Sequence, residues 1–174
     1  MEAEFCRESA QYLRDVYLPR MRRAVAELPA DALWWRPNDG TTSVGNLLLH
    51  LEGNVRQWIL SGLGGEADAR ERQTEFDARE GQDAQSLLDA LGATIAAAAL
   101  VIEGLDPQRL LTPITIQGFE TTPMAAVYHV VEHFSWHTGQ VTWIAKARAG
   151  TDHGIAFWDD ASLNAARNRG GEPD

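Results

Sequence analysis

The sequence predicts an all-α fold, a bundle of four helices, and three observations carry that expectation. Four stretches repeat apolar side chains at steps of three and four residues. Capping or breaking residues bound each of them, and the segments between are rich in Gly, Pro and charge. At 174 residues and 44% hydrophobic composition, the chain suits one domain, residues 1–174, in which each helix buries one stripe against the others.

The first helix is expected over residues 3–28, where Phe5, Leu13, Val16, Tyr17, Met21, Val25 and Leu28 share helical spacing. Pro19 lies inside it and should kink or locally break it, because proline lacks an N–H and crowds the preceding turn. Pro29 ends the pattern. Residues 31–40 read as a connector punctuated by Pro37 and Gly40, with Trp34 and Trp35 covering one end of the core rather than stacking on a substrate.

The second helix runs over about residues 43–61, from a cap at Thr42 or Ser43 to Gly62. His50 lies on it. At about 100° per residue, Ser43, Asn46, Gly53, Asn54 and Gln57 cluster around His50, while Leu47, Leu51, Val55 and Trp58 fill the adjacent flank. Glu52 and Arg56 point elsewhere, so the face around His50 is polar without charge. A solvent face normally collects charge, and an interior polar channel is expected instead.

Residues 62–83 read as a long loop with at most one short turn, either mobile or folded over a site as a lid, and nothing in it looks catalytic. The third helix follows over about 84–105, and Pro107 ends it. The Ile and Thr alternation within residues 111–119 suggests an extended segment or small hairpin arm. Thr122 before Pro123 starts the fourth helix and Gly150 closes it. Beyond lie an apolar knot at Ile155, Phe157 and Trp158, a short helical pattern around 160–168, and a disordered end at about 170–174. His153 has no partner in the pattern and reads as a surface residue.

A formal charge of −10 and the absence of a basic patch disfavour a nucleic-acid partner. Cys6 is the single cysteine, which excludes an intrachain disulfide and a thiolate metal cluster. The acidic N-terminus is unlike a secretory leader, and no apolar run approaches the roughly 20 residues of a membrane span. A soluble, cytoplasmic protein without a membrane partner is expected.

The fourth helix carries the chemistry. His129, His133 and His137 recur at steps of four, so neighbours lie one turn apart and about 40° apart around the axis. On that wheel Val127, Val130, Phe134, Val141 and Ile144 fall on one side of the histidines and Trp136 and Trp143 on the other. Glu132, Ser135, Thr138, Gly139, Thr142 and Lys146 take the opposite face, expected to meet water. The imidazoles are thus expected to look inward. A lone buried histidine is usually a satisfied core residue. Three together multiply the desolvation cost unless they share a purpose, and a metal ion is that purpose. His50 can meet His133 and His137, leaving a coordination position open, and three imidazoles suit zinc, nickel or ferrous iron alike.

The chain resembles the DinB/YfiT-like superfamily of metalloenzymes. The resemblance rests on Trp35-Arg36-Pro37, on Ser43-Val44-Gly45-Asn46 leading to His50-Leu51-Glu52-Gly53-Asn54, and above all on His133-Phe134-Ser135-Trp136-His137-Thr138-Gly139-Gln140. It covers nearly the whole chain. It implies a four-helix bundle of DinB/YfiT-like type with one divalent metal held by His50, His133 and His137. It further implies a transferase or isomerase using a low-molecular-weight thiol, such as mycothiol or bacillithiol, whose pKa the metal lowers.

Two rival readings stand beside it. His129-Val130-Val131-Glu132-His133 also matches the H-x-x-E-H pattern of inverted zinc proteases, with Glu132 as general base, but that leaves His50 and His137 unexplained. A non-catalytic metal-binding or dimeric interaction module is the other. On the enzyme reading His129 and Glu132 are the candidate proton-transfer groups. Asn54, Gln57 and Gln140 are candidates for orienting a small-molecule substrate or thiol, and six tryptophans suggest a homodimer.

Overall fold

The computed structural model describes residues 2–158. The expected helical pattern around 160–168 and the chain end lie outside the described residues. The fold is mostly helical, with four long helical runs among the described residues and one small hairpin.

The first run comprises α1 (Glu2–Gln11), π-helical turns over Tyr12–Tyr17, and α2 (Leu18–Ala26). Pro19 explains the interruption: it cannot donate to the carbonyl four residues back, and its ring crowds that carbonyl. The helix widens instead of breaking, and the Leu18 N–H bonds the Leu13 carbonyl five residues back.

The second run is α3 (Val44–Val55) continued by π-helical turns over Arg56–Ser61. Its start is over-determined by sequence. Ser43 Oγ accepts from the Asn46 N–H at 3.2 Å, and Asn46 Oδ1 accepts from the Ser43 N–H at 3.0 Å. Asn46 also receives Arg36 at 2.7 Å and donates to the carbonyls of Glu75 and Ala78 at 2.7 and 2.9 Å. One buried amide thereby ties the connector, α3 and the following loop together. Trp34 packs flat on Gly45, where an added Cβ would come within 2.7 Å of the ring. Gly45→Ala should therefore lower stability by about 1–3 kcal/mol, readable as a reduced thermal midpoint, because the indole has to leave its place in the core.

Within residues 62–83 a short helix, α4 (Arg72–Asp77), lies against α3. The third run is α5 (Ala84–Glu103), capped by Asp83, whose side chain accepts from the Ser86 N–H at 2.9 Å. This helix corrects one expectation. It is long and apolar enough to cross a membrane, with mean hydropathy 1.7. Leu88, Leu91, Ile95 and Ile102 are buried in the core, where α5 packs against α1 and α3, while Leu100 is exposed.

The expected hairpin is present: β1 (Ile114–Ile116) pairs antiparallel with β2 (Phe119–Thr121), Ile116 opposite Phe119. Its two-residue turn places Gln117 at φ 54° and Gly118 at φ 80°, the left-handed pair that suits a tight hairpin. The last run is α6 (Pro123–Ala149), capped by Thr122 and ended by Gly150 at φ 86°. It packs against α2 and α3. Of the tail's apolar knot, Ile155 is buried in the core and Trp158 is exposed.

The burial of α6 differs from its expected wheel. Phe134, Val127, Val130 and Val141 are fully buried, and Thr138 is buried beside them with its hydroxyl on the Phe134 carbonyl. Trp136 and Trp143 are exposed. The buried arc is centred near Phe134 rather than near His133, so the three α6 histidines sit at its margin, half-buried, and the tryptophans fall beyond it.

Candidate metal centre

The packing of α3 on α6 brings one ring nitrogen from each of His50, His133 and His137 within 4.8 Å of the others. His50 Nε2 lies 2.9 Å from His133 Nε2. Two imidazoles bound tetrahedrally to one ion at about 2.0–2.1 Å stand about 3.3 Å apart, so the rings need to open by only a few tenths of an ångström.

The uncharged face of α3 is interior, as expected: Ser43, Asn46, His50, Asn54 and Gln57 are all buried. His50 is held from behind by the loop in which no functional residue was expected. Glu75 on α4 is buried, and its Oε2 lies 2.9 Å from His50 Nδ1. Arg70 donates to both oxygens of Glu75, at 2.7 and 2.9 Å, and to Gln57 Oε1 at 2.9 Å. Arg70 Nη2 also lies 3.1 Å from His50 Nδ1, but the shorter contact is to the ionised Glu75, which can only accept; it sets the His50 proton on Nδ1 and leaves the Nε2 lone pair facing the cluster. Phe76 packs against the same imidazole at 4.7 Å between ring centres. Gly53, one turn from His50, makes room for this strap, because an added Cβ would collide with Glu75 Oε1 and come within 2.9 Å of Arg70 Nε.

His137 is oriented differently. Its Nδ1 lies 2.5 Å from Gln140 Oε1, which leaves Nε2 for the cluster. Gln140 is thus placed on a candidate ligand. Gln57 spends its amide on Arg70, on Asp68 at 2.7 Å and on Gln117 of the hairpin turn. Asn54 lies 3.4 Å from His129 Nε2, and its buried Oδ1 has no hydrogen-bond partner among the described residues. His129 stands outside the three-histidine group, packed against Trp58 with its ring centre 5.4 Å from that of His133. Glu132 is exposed on α6, and His153 is half-buried, accepting from the Ile155 N–H at 3.3 Å.

A model of the family described as "Protein of unknown function (DUF1572)" matches residues 2–156. The chain belongs to this family. No curated protein and no solved structure matches it. Membership covers both halves of the site, α3 with its strap and α6 with its histidines.

Electrostatics keep the cluster in the form that binds cations. Burial, reinforced by the neighbouring His137, His50, His129 and Arg70, pushes His133 down to about 3. His129 and His137 are also lowered, chiefly by burial. Burial alone would raise the Glu75 carboxyl, but hydrogen bonds from Arg70 and His50 outweigh it and hold Glu75 below the usual range. Neutral imidazoles backed by an ionised carboxylate are what a divalent ion requires. The sign of the pH dependence follows. A histidine with a depressed folded pKa contributes no penalty above its unfolded value of 6.5 and disfavours folding as pH falls from there toward about 3. Metal-free protein should therefore lose up to about 1.4 kcal/mol per pH unit from His133 between pH 6.5 and about 3, measurable by urea unfolding at stepped pH.

Proposed function

We propose that this chain is a metal-dependent enzyme built on a DinB-like four-helix bundle, and that it transfers a low-molecular-weight thiol or carries out a related hydrolysis or isomerisation. The observation that carries this reading is the three-histidine cluster with its carboxylate-backed His50. Among the described residues no further His, Cys, Asp or Glu joins the group, so a thiol, a water or a substrate can complete the coordination. A divalent ion held there, zinc, nickel or ferrous iron, would supply Lewis acidity that lowers the pKa of a thiol or water.

The protein side chains divide the remaining work. Glu75 and Gln140 fix the orientations of His50 and His137. The unpartnered Asn54 Oδ1 can accept a hydrogen bond from a bound thiol, water or substrate N–H. His129, neutral and within reach of Asn54, is positioned to take a proton. Glu132, exposed on the next turn, is a second proton acceptor. We further propose a homodimer, supported by exposed Leu100, Leu111 and Phe119 and read by light scattering.

The test is turnover of small electrophiles by metal-loaded protein with mycothiol, bacillithiol or water as nucleophile, against metal-free protein and His50→Ala. Loss of turnover in both controls supports the enzyme. Absence of turnover with every nucleophile, or full turnover without metal, makes the chain a non-catalytic metal-binding module instead.

A further inference from the structure

Trp136 and Trp143 are 63% and 66% exposed, although their indoles are the largest apolar groups on α6. They lie seven residues apart on one side of the helix, with Gly139 between them. Nothing stands within 4 Å of a Cβ added at Gly139, so the glycine leaves a gap between the two rings. Across from them the connector contributes Pro37, Gly40, Thr41 and Thr42, and the buried Leu47 and Ile144 lie at the base. The result is a groove of about 600 Å³, within the size range of small-molecule sites.

Two links join the groove to the metal centre. Gln140 lines it and receives the Nδ1 proton of His137. Leu47 lies one helical turn before His50 on α3. No charged residue lines the groove among the described residues, and its polar residues are Thr41, Thr42 and Gln140. With its oxygen on His137, the Gln140 amide has no partner for its NH₂ group among the described residues.

We propose that this groove binds the body of the substrate, and that the substrate is a neutral electrophile carrying a planar, aromatic or conjugated group. The planar group lies between the tryptophans over Gly139, where indole faces favour flat apolar partners. A hydrogen-bond acceptor on the ligand meets the Gln140 NH₂, and the reacting end extends toward His137. This inference deepens the metalloenzyme reading and rests on it for the chemistry, but not for the binding.

The experiment titrates 4-nitrobenzyl alcohol into the full chain, metal-free and metal-loaded, following tryptophan quenching and ligand-detected NMR, with cyclohexylmethanol as the non-planar comparison. Binding should be at least about tenfold weaker for cyclohexylmethanol, for Trp136→Ala and for Gly139→Leu. Gly139→Leu fills the gap at a position with space for a side chain and should leave the thermal midpoint unreduced. Metal-free wild-type protein should bind the probe within about threefold of the metal-loaded protein. Equal binding of the two alcohols, or of Gly139→Leu and wild type, overturns the proposal. So does probe binding that disappears as the chain dimerises, since a second copy would then occupy the groove. Probe binding in a chain that takes up no metal supports the groove and overturns the metalloenzyme reading, so the two failures are separable.

Discussion

Metal content should fall from one divalent ion per chain to background in His133→Ala. The three candidate ligands form a nearly equilateral triangle of ring centres, 5.0 Å between His50 and His133, 4.4 Å between His133 and His137 and 5.2 Å between His50 and His137. Removing His133 leaves two imidazoles from different helices with no third donor among the described residues. His50→Ala and His137→Ala should have the same result, while His129→Ala should retain the ion with affinity weakened by no more than about 10 to 100-fold. Elemental analysis of untagged protein after dialysis makes the comparison. Metal retained in His137→Ala but lost in His129→Ala would instead favour the H-x-x-E-H pairing of His129 and His133.

The second large effect lies in the strap. Glu75→Gln removes the charge that balances Arg70, whose side chain is only 5% exposed. An uncompensated buried guanidinium costs about 3–5 kcal/mol, enough to lower the thermal midpoint by roughly 6–20 °C in a domain of this size. His50 also loses its fixed tautomer, and metal affinity should drop by about 10 to 100-fold. The double variant Glu75→Leu with Arg70→Met separates the two consequences. Exchanging a buried ion pair for apolar groups is often neutral, so stability should recover while metal affinity does not. Gly53→Ala tests the same device from the other side: helix propensity alone would stabilise α3 by up to about 1 kcal/mol, but the collision with Glu75 should reverse the sign.

Much of this was legible from single residues. Ser43, Thr122 and Gly150 mark helix ends because capping chemistry is local, and the hairpin is read from a short alternation. The histidine pairing was legible because the four-residue step and the chargeless face of α3 both survive folding. The strap was not. Arg70 and Glu75 look like ordinary solvated charges in a polar loop, and only their tertiary partner makes them interior. Two signals pointed there: Gly53 in mid-helix on the His50 face, which asks what approaches closely, and Phe76, a lone aromatic among charges. The α6 wheel erred because periodicity locates an apolar arc without saying which part of it a neighbouring helix covers. The continuation of α3 shows the limit of any single wheel. At about 100° per residue Ile59 falls opposite His50, on the side of Glu52 and exposed Arg56, yet it is fully buried.

The π-helical turns over Arg56–Ser61 resolve that conflict, and they also separate two alignments within one rod. A π turn is what an α-helix becomes on taking in one extra residue, and it sets the following side chains back in phase. The segment before it is registered against α6 and the strap by His50, Gly53 and Asn54. The π-helical turns themselves carry Ile59 and Leu60 into the core, and the helical run ends with them at Ser61. A one-residue deletion within 56–61 would restore α-helical spacing and re-phase only Ile59, Leu60 and the turn that follows them. A change of chain length at this point is thus absorbed without displacing His50.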